Sequence, residues 1–158
     1  MKSLNFDSPV GNLLIRADEE SIIEVSFADD ELVGANSANE CGLLQKCALE
    51  LDMYFAGKLK DFTVPLKLIG TDFRKKCWEA LRTIPFGETI SYKELATKIG
   101  NPKACRAVGG ANHHNPIVII VPCHRVIGAG GNLTGFGGGL DKKRFLLELE
   151  RKFNDLRN

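Results

Sequence analysis

The sequence predicts a two-part protein. Residues 1–70 read as an α/β N-terminal domain, a small antiparallel sheet with one helix, and residues 71–158 as a mainly α C-terminal domain with a winged-helix-like helix-turn-helix. Three observations lead there. Apolar residues alternate with period two before residue 28; beyond residue 40 they recur at three- and four-residue spacing. The charge reverses near Gly70, with 6 basic and 12 acidic side chains in residues 1–70 and 15 basic and 8 acidic in residues 71–158.

The elements follow in order. Ser3–Phe6, Gly11–Ala17 and Ser21–Phe27 read as strands, with Asp7-Ser8-Pro9-Val10-Gly11 as the turn between the first two. Cys41–Ala56 reads as an amphipathic helix through Leu44, Cys47, Ala48, Leu51 and Phe55, with Gly57 as its stop. Phe62–Leu68 contains Pro65 and reads as an edge strand or linker. Asp72–Thr83 puts Phe73, Cys77, Trp78 and Leu81 on one helical face, and Pro85-Phe86-Gly87 breaks it. Ser91-Tyr92-Lys93-Glu94 has capping-box spacing and opens a helix through Ile99; Asn101-Pro102 restarts one from Lys103 to about Asn112. Two short helices across a Gly-containing turn make the helix-turn-helix pattern. The apolar run Ile117–Val121 reads as a buried strand, and a glycine-rich loop, Gly128–Gly139, leads to a last helix, Asp141–Glu150. Leu140, Phe145, Leu147 and Leu149 are its expected core contacts.

Composition excludes several classes. With 158 residues, 44% apolar and 26% charged, the chain has the make-up of an ordinary folded protein and not of a disordered or collagen-like one. No apolar run approaches the roughly 18 residues of a membrane span, so no membrane partner is expected. The opening Met1–Asp7 lacks the apolar stretch of a secretory signal, which makes the cytoplasm the expected compartment. Five cysteines, at 41, 47, 77, 105 and 123, are odd in number, and none pairs with another as C-x-x-C. Reduced thiols are expected, with neither a disulfide framework nor a metal site. Gly137-Gly138-Gly139 lacks the Lys and Ser or Thr of a phosphate-binding loop. The basic half points to an anionic partner, nucleic acid first.

Two segments carry candidate chemistry. In the second helix of the helix-turn-helix, Ala104, Ala107, Gly109 and Gly110 stand where a major-groove reader carries long polar side chains. Small residues let a backbone approach a narrow groove closely, with Arg106 as the one long side chain able to insert among bases. The same pattern also suits a helix packed tightly on another. In Pro122-Cys123-His124-Arg125, imidazole and guanidinium neighbours favour a thiolate, while the plainer reading is a small apolar Cys ending a core strand. On an extended strand neighbouring side chains diverge, so His124 reaches Cys123 only if the backbone turns there or a water bridges them.

Taken together, Ile84-Pro85-Phe86-Gly87-Glu88-Thr89-Ile90-Ser91-Tyr92, Asn101–Ala111, Asn115-Pro116, Val121–Val126, Gly138-Gly139-Leu140 and Leu146–Glu150 resemble the O6-alkylguanine-DNA alkyltransferases, also called methylated-DNA-protein-cysteine methyltransferases. Residues 1–70 match that family less distinctively. The resemblance implies direct repair of duplex DNA containing alkylated guanine, and of O4-alkylthymine, by a monomer without cofactor. Cys123 would accept the alkyl group once and irreversibly. His124 would take its proton through a water, Glu150 would orient the imidazole, and Asn115 would brace the segment before Cys123. Arg106 would fill the gap left by a rotated-out nucleotide. Tyr92 would help turn the DNA backbone and donate a hydrogen bond to the extruded guanine. Ala104, Ala107, Gly109, Gly110 and Arg125 are expected at the DNA, and Val126, Phe136 and Gly137 around the base. Many relatives have Tyr-Ser or Tyr-Gly where this chain has Phe136-Gly137, which implies a looser, less polar pocket. The N-terminal zinc site of some relatives is not expected, because residues 1–70 contain no His.

Overall fold

The computed structural model describes residues 2–28, 41–131, 133 and 139–156, which form two compact units, Met1–Ile69 and Gly70–Asn158. In the first, β1 (Lys2–Ser8), β2 (Gly11–Ala17) and β3 (Ile22–Phe27) form an antiparallel sheet in the order β1-β2-β3. β1 runs two residues beyond its expected end. Ser8 pairs with Gly11 across a two-residue turn, and Gly11 takes a φ of 100° that favours glycine. Leu13, Ile15 and Ala17 alternate inward along β2, as period two requires.

Helix α1 (Gly42–Phe55) belongs to the same unit. Its buried face is Leu44, Cys47, Glu50, Leu51 and Tyr54, so Tyr54 replaces the expected Phe55 and a carboxylate enters the core. Thr63 and Val64 explain the change. Their backbone N–H groups and the Thr63 hydroxyl donate to Glu50 at 2.6–3.2 Å, which pulls the 62–64 segment onto the helix and sets Phe62 against Tyr54. Beyond it, Ile22 bridges Leu66 in parallel, so the expected edge strand is reduced to one bridge by Pro65.

The second unit holds α2 (Asp72–Leu81), β4 (Ile90–Ser91), α3 (Tyr92–Lys98), α4 (Cys105–His113), β5 (Val126–Ile127) and α5 (Leu140–Leu156). Thr71 caps α2 by accepting from the Arg74 N–H. The capping box forms as expected, with Ser91 accepting from the Glu94 N–H and Glu94 accepting from the Ser91 N–H. α4 begins at Cys105 and not at Lys103, because Asn101–Ala104 is spent on a turn closed by the Ala104 N–H on the Asn101 carbonyl. Trp78, on α2, donates its indole N–H to the Ala111 carbonyl at 2.8 Å and so ties α2 to α4.

Two expectations fail here. Ile117–Val121 is buried throughout but is a compact turn and not a strand. Ile119 takes a φ of 72°, the Val121 N–H returns to the Ile117 carbonyl, and Asn115 accepts from the Ile117 N–H. A continuous apolar run specifies burial and leaves the backbone conformation open. In α5 the inward residues are Lys143, Leu146 and Glu150, while Leu140 and Phe145 are exposed and Leu147 and Leu149 are half-buried. Two charged side chains take inward positions because both find buried partners, described below. Among the described residues no helix is long and apolar enough to cross a membrane.

Candidate active site

The turn that replaces the expected strand delivers Cys123. Pro122 leads into a 3-10 turn, Cys123–Arg125, closed by the Val126 N–H on the Cys123 carbonyl. This turn supplies the backbone irregularity that a neighbouring Cys and His need to act together. β5 follows and pairs in parallel with β4, Val126 opposite Ile90. Asn115 braces the approach, donating from Nδ2 to the Val121 carbonyl at 2.7 Å while its Oδ1 accepts from Ile117.

Glu150, on α5, is the hub of the site and is 1% exposed. Its Oε2 receives His124 Nε2 at 2.6 Å and Arg125 Nη2 at 3.1 Å; its Oε1 receives Arg125 Nε at 2.8 Å and the Gly87 N–H at 3.2 Å. Arg125 spends a further donor on the Ile84 carbonyl at 2.7 Å, and its guanidinium lies 5.8 Å from the Phe86 ring centroid. Ile84 and the Pro85-Phe86-Gly87 stretch, the latter read from sequence as a helix breaker, therefore hold the hub from the far side. Gly87 has a φ of +83°, and a Cβ there would meet Asn154 at 2.7 Å, so the N–H that points at Glu150 needs glycine.

The electrostatics follow from these contacts. Burial pushes the Glu150 carboxyl up, but His124 and Arg125 outweigh it and hold the group well below the usual carboxylate range. Burial lowers the His124 pKa and prevails over the attraction of Glu150, so the imidazole is neutral near pH 7. A neutral ring bonded through Nε2 to an ionised carboxylate carries its proton on Nε2. Its Nδ1 lone pair is then free to accept a proton, and Nδ1 is buried with no hydrogen bond from any described residue.

Burial also pushes the Cys123 thiol up to about 11, against the lowering effects of the Asn115 side chain, the Lys143 charge and the backbone N–H groups of Cys123 and His124. At neutral pH the sulfur is therefore a thiol that needs a base. Lys143, which the sequence reading did not single out, is fully buried on the same face of α5 as Glu150. Its Nζ donates to the Val126 carbonyl at 2.6 Å and lies 5.9 Å from the Tyr92 ring centroid; burial lowers its pKa, and the charge interaction with Cys123 works against that lowering. The seven-residue spacing of Lys143 and Glu150, two helical turns, was the available signal.

The remaining expected residues divide. Arg106, Ala107 and Gly110 are exposed on α4, and Ala104, Gly109 and Tyr92 are half-exposed. A Cβ on Gly110 would meet nothing within 4 Å, so this face of the helix is open. Arg125, expected at the DNA, is corrected by its burial and its bonds to Glu150 and Ile84. Val126 is fully buried. Phe136 and Gly137 lie outside the described residues.

Comparison with known proteins gives one answer. The family profile described as 6-O-methylguanine DNA methyltransferase, DNA binding domain, matches residues 72–152, and its companion, the ribonuclease-like domain, matches residues 2–68. A methylated-DNA–protein-cysteine methyltransferase from Methanosarcina acetivorans is 52% identical over 149 residues, which is 92% of this chain and 95% of the relative. One from Haemophilus influenzae is 49% identical over 150 residues, covering 92% and 84%. The crystal structure of Mycobacterium tuberculosis OGT in complex with DNA matches with a TM-score of 0.88 at 46% identity, over 97% of this chain and 94% of that one. The chain therefore belongs to the 6-O-methylguanine DNA methyltransferase family.

Proposed function

We propose that this protein repairs O6-alkylguanine in DNA by moving the alkyl group irreversibly onto its own Cys123. The observation that carries the reading is the buried 3-10 turn that holds Cys123 and His124 together in sequence, with a protonated thiol, a neutral imidazole whose Nδ1 has no hydrogen bond from a described residue, and Glu150 bonded to its Nε2. His124 takes the thiol proton through a water. Sulfur then attacks the alkyl carbon, the S–C bond forms as the C–O6 bond breaks, and the electron pair leaves with guanine, which recovers a proton at N1. Glu150 steadies the imidazolium that forms meanwhile, and Arg125 and Gly87 keep Glu150 ionised and in place. Lys143 stabilises the sulfur's developing charge, and the Tyr92 hydroxyl donates to the departing guanine. The product is a thioether, which offers water no easy leaving group, so each molecule acts once.

Reaching the carbon requires the nucleotide to leave the stack, at a cost that is least for a weakly paired base. Arg106 fills the gap, while Ala104, Ala107, Gly109 and Gly110 let α4 approach the minor groove. Asn115 braces the turn, and Val126, Phe136 and Gly137 surround the base. In this reading residues 71–158 hold both DNA binding and transfer, residues 1–70 form a separate domain, and the protein works as a cytoplasmic monomer on duplex DNA. O4-alkylthymine would be a second substrate.

Intact and peptide mass spectrometry after mixing with a duplex bearing one O6-methylguanine tests this. One added methyl on Cys123, at a stoichiometry near one and absent from Cys123→Ser, is expected. Tight lesion binding with no mass change would make the protein a damage sensor, and multiple turnovers on an ester with Cys123 unmodified would make it a Cys-His hydrolase.

A further inference from the structure

Asn112 lies on α4 with Val108, on the face turned away from the exposed Arg106, Ala107 and Gly110, and is only 2% exposed. Its Nδ2 donates to the Cys123 carbonyl at 3.2 Å, the same oxygen that closes the 3-10 turn by accepting from the Val126 N–H. That bond fixes which end of the amide faces Cys123, since only the NH2 can donate to a carbonyl. The other end, Oδ1, is buried without a hydrogen bond. A half-satisfied buried amide is a worse solution for stability than an apolar side chain of similar volume, so the packing of α4 gives no reason for asparagine here. Its chemical neighbour gives one. The oxygen it holds belongs to the peptide that joins Cys123 to His124, and the orientation of that peptide sets the sulfur relative to the imidazole.

The neighbouring bonds make this a tether and not a loose contact. Ala111, the preceding residue, is held through its carbonyl by Trp78 at 2.8 Å, and the Asn115 N–H returns to the Asn112 carbonyl at 3.4 Å. The backbone on both sides of Asn112 is thus fixed, and its side chain is a direct hydrogen bond between α4 and the reactive peptide. We infer that Asn112 is a positioning residue: through the Cys123 carbonyl it links the seating of α4 to the alignment of Cys123 with His124. This inference rests on the alkyl-transfer reading above.

The test compares the wild-type protein with Asn112→Leu, which removes the donor at similar volume, and Asn112→Gln, which offers the same amide from a longer stem. Each is measured for single-turnover methyl transfer from a lesion duplex across pH, for affinity to that duplex, and for melting temperature. The inference predicts that Asn112→Leu melts no lower than wild type and binds DNA within about twofold. Its transfer rate should nevertheless fall about tenfold, ~1.4 kcal/mol of barrier, with the pH profile displaced and Asn112→Gln recovering part of the rate. A leucine variant that transfers within twofold of wild type overturns the inference and leaves the repair reading intact. So does one that loses melting temperature and rate together with an unchanged pH profile, because that is a purely structural role. A wild-type protein that takes up no methyl overturns the repair reading itself, and this inference with it.

Discussion

Each unit of the molecule buries a glutamate on a helix, and the two do different work. Glu50 receives its hydrogen bonds from Thr63 and Val64, two N–H groups and one hydroxyl, none of which titrates near neutral pH. It is a clasp that holds a connecting segment on α1. Glu150 receives its bonds from an imidazole, a guanidinium and one N–H, and the imidazole can change its charge. Burial of a carboxylate is therefore not the sign of a reactive site. The sign is a buried carboxylate that shares its donor with a chemical step, beside a nucleophile that needs a base.

The contrast is sharpest if both glutamates are made Gln. Glu150→Gln leaves the Arg125 guanidinium buried without its counter-charge and should cost ~3–5 kcal/mol of stability, read by urea unfolding. In the molecules that remain folded, transfer should slow by ~10²–10⁴, the usual weight of a positioned acid or base, read by single-turnover kinetics. Glu50→Gln should cost less, ~1–3 kcal/mol, because it sets an NH2 against backbone donors, and should leave the rate per folded molecule unchanged. Equal rate losses in the two variants would erase the distinction.

Acid acts on the Glu150 site. His124 and Glu150 both titrate below their ordinary values of 6.5 and 4.5 in the folded protein. The unfolded chain therefore binds more protons than the folded one as pH falls through these ordinary values, and stability is lost from about pH 6.5 downward. Replacing His124 by Asn should flatten the upper part of that loss in a melting-temperature series. The smallest effect concerns the open face of α4. Gly110→Ala fits without contact and should stabilise the helix by ~0.5–1 kcal/mol. If that face meets the DNA groove, the added methyl weakens duplex binding even as the melting temperature rises.

The first unit was largely legible in the sequence because its side chains obey hydrophobic periodicity. β2 buries Leu13, Ile15 and Ala17 in strict alternation. The shift in α1, Tyr54 for Phe55, follows from the polar clasp at Glu50, which no pattern of apolar residues encodes. In the second unit Cys123 and His124 stood out as chemically apt neighbours, but their roles, and the distant Glu150, came from a family resemblance and not from periodicity. Helix α5 shows why. Its inward face is Lys143, Leu146 and Glu150, so an apolar template picks Leu140 and Phe145 and turns the helix the wrong way. Likewise Ile117–Val121 reads as a strand only because the left-handed Ile119 and the side-chain bonds of Asn115, which fold it into a turn, leave no trace in hydropathy. Arg125 was expected at the DNA with the resemblance, and a carboxylate 25 positions away holds it.

The central claim is that Cys123 loses its proton internally, to His124, and the pH dependence of single-turnover methyl transfer tests it most directly. A thiol at about 11 that ionised only to bulk solvent would give a rate rising tenfold per pH unit from neutrality toward that value. Internal transfer to a neutral imidazole instead predicts a plateau through neutral pH, ending on the acid side only below the ordinary histidine value of 6.5, where His124 gains its proton. A plateau that disappears in Glu150→Gln is the predicted result. A slope of one across the neutral range in the wild-type protein would contradict the account.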